Sequence, residues 1–207
     1  MSEPGNLYVI SAPSGTGKTT LVKTLIESIS GITVSISHTT RPKRSAEMEG
    51  INYYFVDKNE FSRMVKEGEF LEHAEVFHYC YGTSKKWVEH TLKRGLDVVL
   101  EIDWQGKQQI EQLFPDSISI FILPPSLLAL SERLMQRNQD KSEIIQKRLA
   151  DAKETISHSR EYDYMVVNDD FQAALDDLRV IIGAERLRER RQSKKLAVLI
   201  AELMRSS

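Results

Sequence analysis

Residues 7–20 of this chain read Leu-Tyr-Val-Ile-Ser-Ala-Pro-Ser-Gly-Thr-Gly-Lys-Thr-Thr, and this stretch decides the fold. The short apolar run Leu7 to Ile10 predicts a buried strand. From Lys18 to Ile29, apolar residues recur at helical spacing, which predicts a helix directly after the glycines. The segment between them, Ala12 to Thr19, fits the pattern G-x-x-x-x-G-K-[ST], except that alanine replaces the first glycine. A strand, a glycine-rich turn and a helix in this order predict a phosphate-binding loop, the P-loop.

Each residue type in the P-loop has a chemical reason. Glycines let backbone N–H groups face phosphate oxygens without an obstructing Cβ atom, and the helix start adds the positive end of its dipole. Lys18 is expected to reach the β- and γ-phosphates of a nucleotide, and the Thr19 hydroxyl is expected to ligate Mg²⁺. The alternative is a glycine-rich turn before an ordinary helix. The shared register of strand, loop, lysine, threonine and helix argues against it.

The composition limits the classes of function. The chain has 207 residues, which suits one domain carrying small inserted lobes. With 41% hydrophobic and 28% charged residues, it has the mix of a soluble globular protein. The formal net charge of −2 creates no general field that would attract nucleic acid or an acidic membrane. A phosphate site must therefore depend on local positive charge.

The sequence also indicates a compartment. Cys80 is the only cysteine, so no internal disulfide can form and a reducing compartment is expected. Residues 1–6 have neither the basic region nor the apolar region of a secretory signal. No apolar run approaches the ~20 residues that span a bilayer. We expect a cytoplasmic protein with no membrane or nucleic-acid partner.

Strands and helices alternate along most of the chain, which predicts a parallel sheet covered by helices on both faces. Residues 38–83 break this rhythm with several short strands and little helix. The predicted fold class is α/β, a three-layer P-loop core with a central parallel sheet, an inserted mixed α/β lobe and a short helical lid. The predicted divisions are the core at residues 1–36 and 84–185, with the lid at about 126–159, the lobe at 37–83, and a helical extension at 186–207.

Further motifs follow the P-loop in order. They are Ser37-x-x-Thr40-Arg41-x-x-Arg44-x-x-Glu47, Tyr53, Phe70-x-Glu72, Tyr81-Gly82-Thr83, Asp97 to Asp103, Pro124-Pro125-Ser126, Lys147-Arg148-Leu149 and Val166-Val167-Asn168-Asp169. Together with the P-loop, these motifs resemble the guanylate kinase family from about residue 7 to about residue 185. The resemblance implies that the γ-phosphoryl group of ATP passes directly to GMP or dGMP with the help of Mg²⁺, and that the lobe binds GMP.

The resemblance also implies the site residues. Those expected to bind ATP are Ser11, Ala12, Pro13, Ser14, Gly15, Thr16, Gly17, Lys18, Thr19, Thr20 and Asn168. Those expected to surround GMP are Ser37, Arg41, Arg44, Tyr53, Glu72, Tyr81, Thr83, Glu101 and Asp103. Catalysis is expected to depend on Lys18 and on the lid arginines Arg133, Arg137 and Arg148. Mg²⁺ is expected on Thr19, with Glu101 or Asp103 acting through water.

Physical chemistry agrees with the implied roles around GMP. Guanidinium groups at Arg41 and Arg44 suit a phosphate, to which each can donate two hydrogen bonds. A carboxylate at Glu72 accepts from both the N1–H and the 2-amino group of guanine, whereas the N1 lone pair of adenine would be repelled. A site with such polar groups discriminates better than an apolar pocket can.

Each of these residues has a simpler interpretation when considered alone. Arg41 and Arg44 would lie in a solvated basic loop, and Glu72 would be a surface carboxylate on a strand. Glu101 and Asp103 would cap the helix that follows them, and Asp103 is suited to both roles. The joint spacing of these residues with the P-loop favours the functional interpretation.

Two rival functions remain. A kinase for another monophosphate conflicts with the residues implied to contact guanine. A non-catalytic binding module is the second rival, because guanylate-kinase-like domains in scaffold proteins have lost activity. Such modules usually have a degraded P-loop, whereas Lys18, Thr19, Arg137 and Arg148 are intact here.

The extension at residues 186–207 is basic at first and then apolar from Leu196 to Met204. It can dock on its own core, or form a homo-oligomer contact that covers the apolar residues. A tail that binds RNA is the third alternative, and the balanced net charge disfavours it.

Overall fold

The computed structural model describes residues 3–76, 78–136 and 142–205. In chain order its strands are β1 (Leu7–Ser11), β2 (Ile32–Val34), β3 (His38–Thr39), β4 (Tyr54–Phe55), β5 (Phe70–Val76), β6 (Tyr79–Ser84), β7 (Asp97–Glu101), β8 (Ile118–Leu123) and β9 (Tyr164–Val167). Its helices are α1 (Lys18–Ser28), α2 (Lys58–Lys66), α3 (Lys85–Lys93), α4 (Trp104–Leu113), α5 (Leu127–Gln136), α6 (Ser142–Ser157), α7 (Phe171–Arg186), α8 (Glu189–Lys195) and α9 (Ala197–Arg205), with a 3₁₀ helix at His158–Glu161.

The core sheet is parallel, with the strand order β2-β7-β1-β8-β9. Strand β1 lies in the middle, and its side chains alternate between two apolar layers. Tyr8 and Ile10 pack with residues of α1 and α7, whereas Leu7 and Val9 pack with residues of α3 and α4. The three-layer α/β architecture predicted from the sequence is therefore confirmed. The P-loop leaves the carboxyl end of β1, where parallel sheets place their ligands.

A second, mixed sheet has the strand order β4-β3-β6-β5. Strand β3 pairs parallel with β4 and antiparallel with β6, and β5 pairs antiparallel with β6. Helix α2 covers one face through Phe61 and Met64, which pack against Phe70 of β5. In the sequence, Asp57 with Glu60 three residues later predicts an N-cap. The cap is present, because Asp57 Oδ1 accepts a hydrogen bond from the Glu60 amide at 2.9 Å. We call this sheet and its helix the lobe; its boundaries at residues 37 and 83 stay a prediction.

Two local predictions differ from the structure. The alternating residues from Ile32 to Ser37 predict a strand in the sequence. In the structure this strand ends at Val34, because the chain then leaves the core sheet and the Ser37 carbonyl accepts from the Tyr54 amide of the lobe. The polar, basic stretch from His38 to Gly50 predicts a loop in the sequence, but its first two residues, His38 and Thr39, form β3. The Thr39 hydroxyl donates to the Cys80 carbonyl at 3.0 Å, a contact across 41 residues that no local pattern indicates.

The C-terminal segment is tied to the core through one buried carboxylate. Asp97 is fully buried and accepts hydrogen bonds from the Asn6 amide at 2.7 Å, Arg186 Nε at 2.7 Å and Arg191 Nη1 at 2.9 Å. These contacts join the start of the chain, the end of α7 and helix α8 at the start of β7. Helix α9 follows with exposed apolar side chains, among them Val198. None of the described helices combines the length and apolarity needed to cross a membrane.

Candidate active site

The P-loop connects β1 to α1 and depends on two glycines in left-handed conformations. Gly15 has φ 93° and Gly17 has φ 97°, a region that other residues adopt only with strain. Helix α1 begins at Lys18 directly after Gly17, and no side chain caps it. Its first backbone N–H groups are therefore available to an anion.

Helix α5 packs on the outside of the P-loop. A Cβ atom on Gly15 would lie 2.8 Å from Leu134 Cδ2 and 3.2 Å from Leu130 Cδ1. Both leucines are almost completely buried. Because the helix approaches the loop this closely, Gly15 is required by packing as well as by its φ angle.

Asn168 braces the P-loop from a second side. Its side chain is buried, and its Nδ2 donates to the Thr16 carbonyl at 2.6 Å. The Asn168 amide donates to the Leu123 carbonyl, and its own carbonyl accepts from both Nη atoms of Arg133 at 3.1 Å. Asn168 thus joins the end of β8, helix α5 and the P-loop.

Lys18 is the first residue of α1, and its Nζ lies 3.5 Å from the Ile10 carbonyl oxygen. Burial lowers the pKa of Lys18, and the negative charges of Glu101 and Asp103 oppose this decrease. Both carboxylates come from the carboxyl end of β7, beside β1 in the sheet. A bound polyphosphate would add the anionic partner that favours the charged lysine.

The two acidic residues have different surroundings. Glu101 Oε2 accepts from the Thr19 hydroxyl at 3.0 Å. Asp103 caps α4, because its Oδ1 accepts from the Gly106 amide at 2.9 Å, and its Oδ2 lies 3.3 Å from Gln105 Nε2. The capping alternative is therefore confirmed for Asp103. A hydroxyl and a carboxylate 3.0 Å apart are hard oxygen donors beside the P-loop, and this donor set suits Mg²⁺.

Glu72 and Thr83 form a buried pair between β5 and β6. Their side chains are 3% and 0% exposed, and the Thr83 hydroxyl donates to Glu72 Oε1 at 2.5 Å. Burial raises the pKa of Glu72 to about 7; the Thr83 hydrogen bond opposes this rise and the charge of Asp103 adds to it. A carboxylate with so little exposure to solvent needs another hydrogen-bond donor to be stable in its ionised form.

The basic loop between β3 and β4 is ordered around Glu47. One carboxylate oxygen of Glu47 contacts Arg41 Nη2 at 2.6 Å, and the other accepts from the Arg44 amide at 2.8 Å. Arg41 also lies over the Tyr53 ring at 5.3 Å, and the rings of Tyr53 and Tyr81 meet edge to face at 5.9 Å. The structure therefore brings three of the four residues expected around the acceptor phosphate together, with Arg44 exposed beside them.

The remaining predicted residues fall into three groups. Ser11, Ala12, Pro13, Ser14 and Thr20 belong to the end of β1, the P-loop and the first turn of α1. Ser37 lies half-buried just before β3, and Arg148 lies half-buried in α6. Arg137 lies outside the described residues.

Comparisons with known proteins give the family. The family model described as "Guanylate kinase" matches residues 4–185. The guanylate kinase of Coxiella burnetii is 56% identical over 199 residues, which are 96% of this chain and 97% of that protein. The guanylate kinase of Legionella pneumophila (strain Lens) is 52% identical over 98% of this chain and 97% of its own length.

The chain belongs to the guanylate kinase family. Its fold agrees, because a crystal structure of guanylate kinase from Anaplasma phagocytophilum matches with a TM-score of 0.77 and 37% identity. The match covers 92% of this chain and 91% of that one. The resemblance found in the motifs is thus confirmed, and the chain is a phosphotransferase of a family whose reaction is the phosphorylation of GMP by ATP.

Sequence reasoning gave no role to Glu47, although the residue belongs to the guanylate kinase motif. Its carboxylate holds the Arg41 side chain and the Arg44 backbone in one arrangement. The signal was an acidic residue within six positions of both arginines in an otherwise basic loop. Gly106 and Gln109 of α4 were also missed, because their contacts are with β5, more than thirty residues earlier in the chain.

Proposed function

We propose that this chain catalyses ATP + GMP ⇌ ADP + GDP by direct in-line transfer of the γ-phosphoryl group, with dGMP also accepted. ATP would occupy the P-loop and GMP would occupy the lobe. One observation carries the proposal: the segment from the end of β7 to the start of α4 contacts both the P-loop and the buried Glu72–Thr83 pair of the lobe. Glu101 at the end of β7 contacts Thr19, and α4, which begins directly after Asp103, packs against Glu72.

On the ATP side, the backbone N–H groups from Ser14 to Thr20 surround the phosphates, and Lys18 offsets the charge that develops on the transferring group. Thr19, with Glu101 or Asp103 acting through water, would hold Mg²⁺, which would neutralise part of the phosphate charge. Asn168 supports the loop, and we assign it the border of the adenine subsite.

On the GMP side, Arg41, Arg44, Tyr53 and Tyr81 would bind the phosphate. In the described structure the Arg41 guanidinium is already paired with Glu47 and stacked on an aromatic ring. This arrangement reduces the conformational entropy that Arg41 loses when an anion binds.

The guanine base would be bound by Ser37, Glu72 and Thr83. Glu72 accepts from the N1–H and the 2-amino group, and the ligand thereby supplies the donors that this buried carboxylate needs. Adenine offers one donor and one lone pair at the same edge, so one Glu72 oxygen would face an acceptor. We expect discrimination against AMP of about 10⁴-fold in kcat/KM, as for other sites built from buried polar groups.

The lid arginines Arg133, Arg137 and Arg148 complete the proposal. Positive charge over the transferring group offsets the repulsion between the two polyanionic substrates, and closure excludes water as a competing acceptor. Arg133 contacts the Asn168 carbonyl and lies 3.5 Å from the Thr16 carbonyl, so it lies beside the P-loop.

Location and assembly are part of the same proposal. A single cysteine is compatible with the reducing cytoplasm, where we place the enzyme. Exposed apolar residues of α9 support a homo-oligomer contact through the extension. We assign no nucleic-acid partner to the chain.

The test is an assay of ADP formation with ATP, Mg²⁺ and either GMP, AMP, CMP or UMP. We expect turnover with GMP and a decrease in kcat of at least about 100-fold in Lys18→Ala, which loses one charged donor to the transition state. Turnover with another monophosphate instead would contradict the guanine pocket. No turnover with any of the four, by a folded protein that binds GMP, would favour the binding module.

A further inference from the structure

Helix α4 packs directly against the Glu72 carboxylate. We propose that Gly106 and Gln109 of this helix fix the position of the Glu72 carboxylate and are positioning residues for guanine selectivity. The inference rests on the proposed function, in which Glu72 binds the base. No contact of α4 with substrate is needed for it.

Gly106 has no side chain and so leaves space for the Glu72 carboxylate. A Cβ atom on Gly106 would lie 2.6 Å from Glu72 Oε2 and 3.2 Å from Ile102 Cδ1. The other oxygen of Glu72 is held by Thr83, and the side chain is 3% exposed, so it has little room to rotate away. Glycine costs about 1 kcal/mol relative to alanine within a helix, and α4 contains it at the point of this contact.

Gln109 fixes the strand that carries Glu72. Its Oε1 accepts from the His73 amide at 3.1 Å, and its Nε2 donates to the His73 carbonyl at 2.9 Å. Strand β5 is at the edge of the lobe sheet among the described strands, and β6 is its only neighbour there. The Gln109 carboxamide therefore takes the place of a second neighbouring strand, at the residue next to Glu72.

Helix α4 can fix the position of β5 because the core holds this helix firmly. Ile110 is fully buried between the sheet and the helices of its layer, and Asp103 caps the helix at its start. On another face, Trp104 stacks on His158 with ring centroids 3.8 Å apart. The position of β5 relative to the P-loop is thus set through Gly106 and Gln109.

Guanine selectivity should therefore require that the Glu72 carboxylate is held close to its observed position. A Cβ atom 2.6 Å from Glu72 Oε2 must be relieved by a shift of several tenths of an ångström or more, and the shift displaces the carboxylate that accepts from guanine. Misplacement of a binding group by about 1 Å can cost about 100-fold in rate. Selectivity for the 2-amino group should suffer more than the binding of ATP.

The experiment compares Gly106→Ala and Gln109→Ala with Gln108→Ala, an exposed neighbour on α4 that contacts Glu161. The KM and kcat are measured for GMP and for IMP, which lacks the 2-amino group, together with the KM for ATP. We expect Gly106→Ala to raise the KM for GMP about tenfold or more and to reduce the preference for GMP over IMP. Gln109→Ala should act in the same direction by a smaller factor, and Gln108→Ala should match the unaltered chain.

The same two substitutions are then made in a Glu72→Ala background. If they act through Glu72, they cause no further increase in the KM for GMP there.

An unchanged KM and an unchanged GMP preference in Gly106→Ala and Gln109→Ala, with a large effect of Glu72→Ala, would overturn the inference and leave the proposed function standing. An unchanged KM in Glu72→Ala itself would overturn the role of Glu72. If Gly106→Ala fails to fold, Gln109→Ala decides with the same measurements, because His73 and Gln109 meet at the surface.

Discussion

The affinity for GMP should depend on pH through Glu72. Burial raises the pKa of this carboxyl group to about 7, with a further increase from Asp103 and a partial decrease from Thr83. Guanine presents two donors, so it binds the ionised form. In the free protein about 9% of Glu72 is ionised at pH 6 and about 91% at pH 8, so the Kd for GMP should be about tenfold higher at pH 6.

The effect on stability has the opposite sign. The folded pKa of about 7 lies above the ordinary value of 4.5, so the folded protein without ligand binds a proton more readily than the unfolded chain. The stabilising contribution is fully present below pH 4.5 and is lost as the pH rises through 7. Its upper limit is about 3 kcal/mol of unfolding free energy, from 1.36 kcal/mol per pKa unit. GMP binding recovers this loss because it supplies donors to the ionised carboxylate.

Calorimetric titration with GMP at pH 6 and pH 8, in buffers of different ionisation enthalpy, measures both the Kd and the protons released. We expect Glu72 to account for close to one released proton at pH 6 and for much less at pH 8. The GMP phosphate itself titrates near pH 6, so Glu72→Gln is the control that retains only this contribution. A Kd that is equal at the two pH values, or a pH profile shared with Glu72→Gln, would refute the argument.

Three further predictions concern the frame around the site. Asp97→Ala should lower the free energy of unfolding, measured in urea, by about 3–5 kcal/mol, because Arg186 and Arg191 lose their buried partner. As a control, Asp116→Ala removes an exposed carboxylate and should change this free energy little. Gly15→Ala should raise the KM for ATP because φ is 93° and a leucine of α5 lies 2.8 Å from the new Cβ, whereas Gly68→Ala, with φ 66° and open space, should leave that KM unchanged. Asn168→Ala should lower the melting temperature by an amount equivalent to about 1–3 kcal/mol of unfolding free energy, because the Thr16 carbonyl loses a buried donor. It should also raise the KM for ATP. An equal melting temperature and KM in the variant and the unaltered chain would contradict this support of the P-loop.

Local patterns were sufficient for much of the fold. The short apolar run from Tyr164 to Val167 predicts a strand, and β9 has these ends. Asp57 caps α2 as its spacing with Glu60 indicates. Both follow from interactions within a few residues, so neighbouring sequence contains the information. Strand β3 was missed because two residues give no usable periodicity, and its pairing is decided by β6.

The sequence by itself determined the P-loop, the parallel core sheet and the family, because these depend on residue types at fixed spacings along the chain. Only the tertiary structure decided how the site is supported. Asp97 meets Arg186 and Arg191 across about ninety residues, and Gly106 meets Glu72 across thirty-four positions of the chain. Such contacts depend on how whole elements pack, and packing couples positions that have no regular separation in sequence. Residue type predicted which groups can act on a nucleotide, whereas packing fixed where those groups are held.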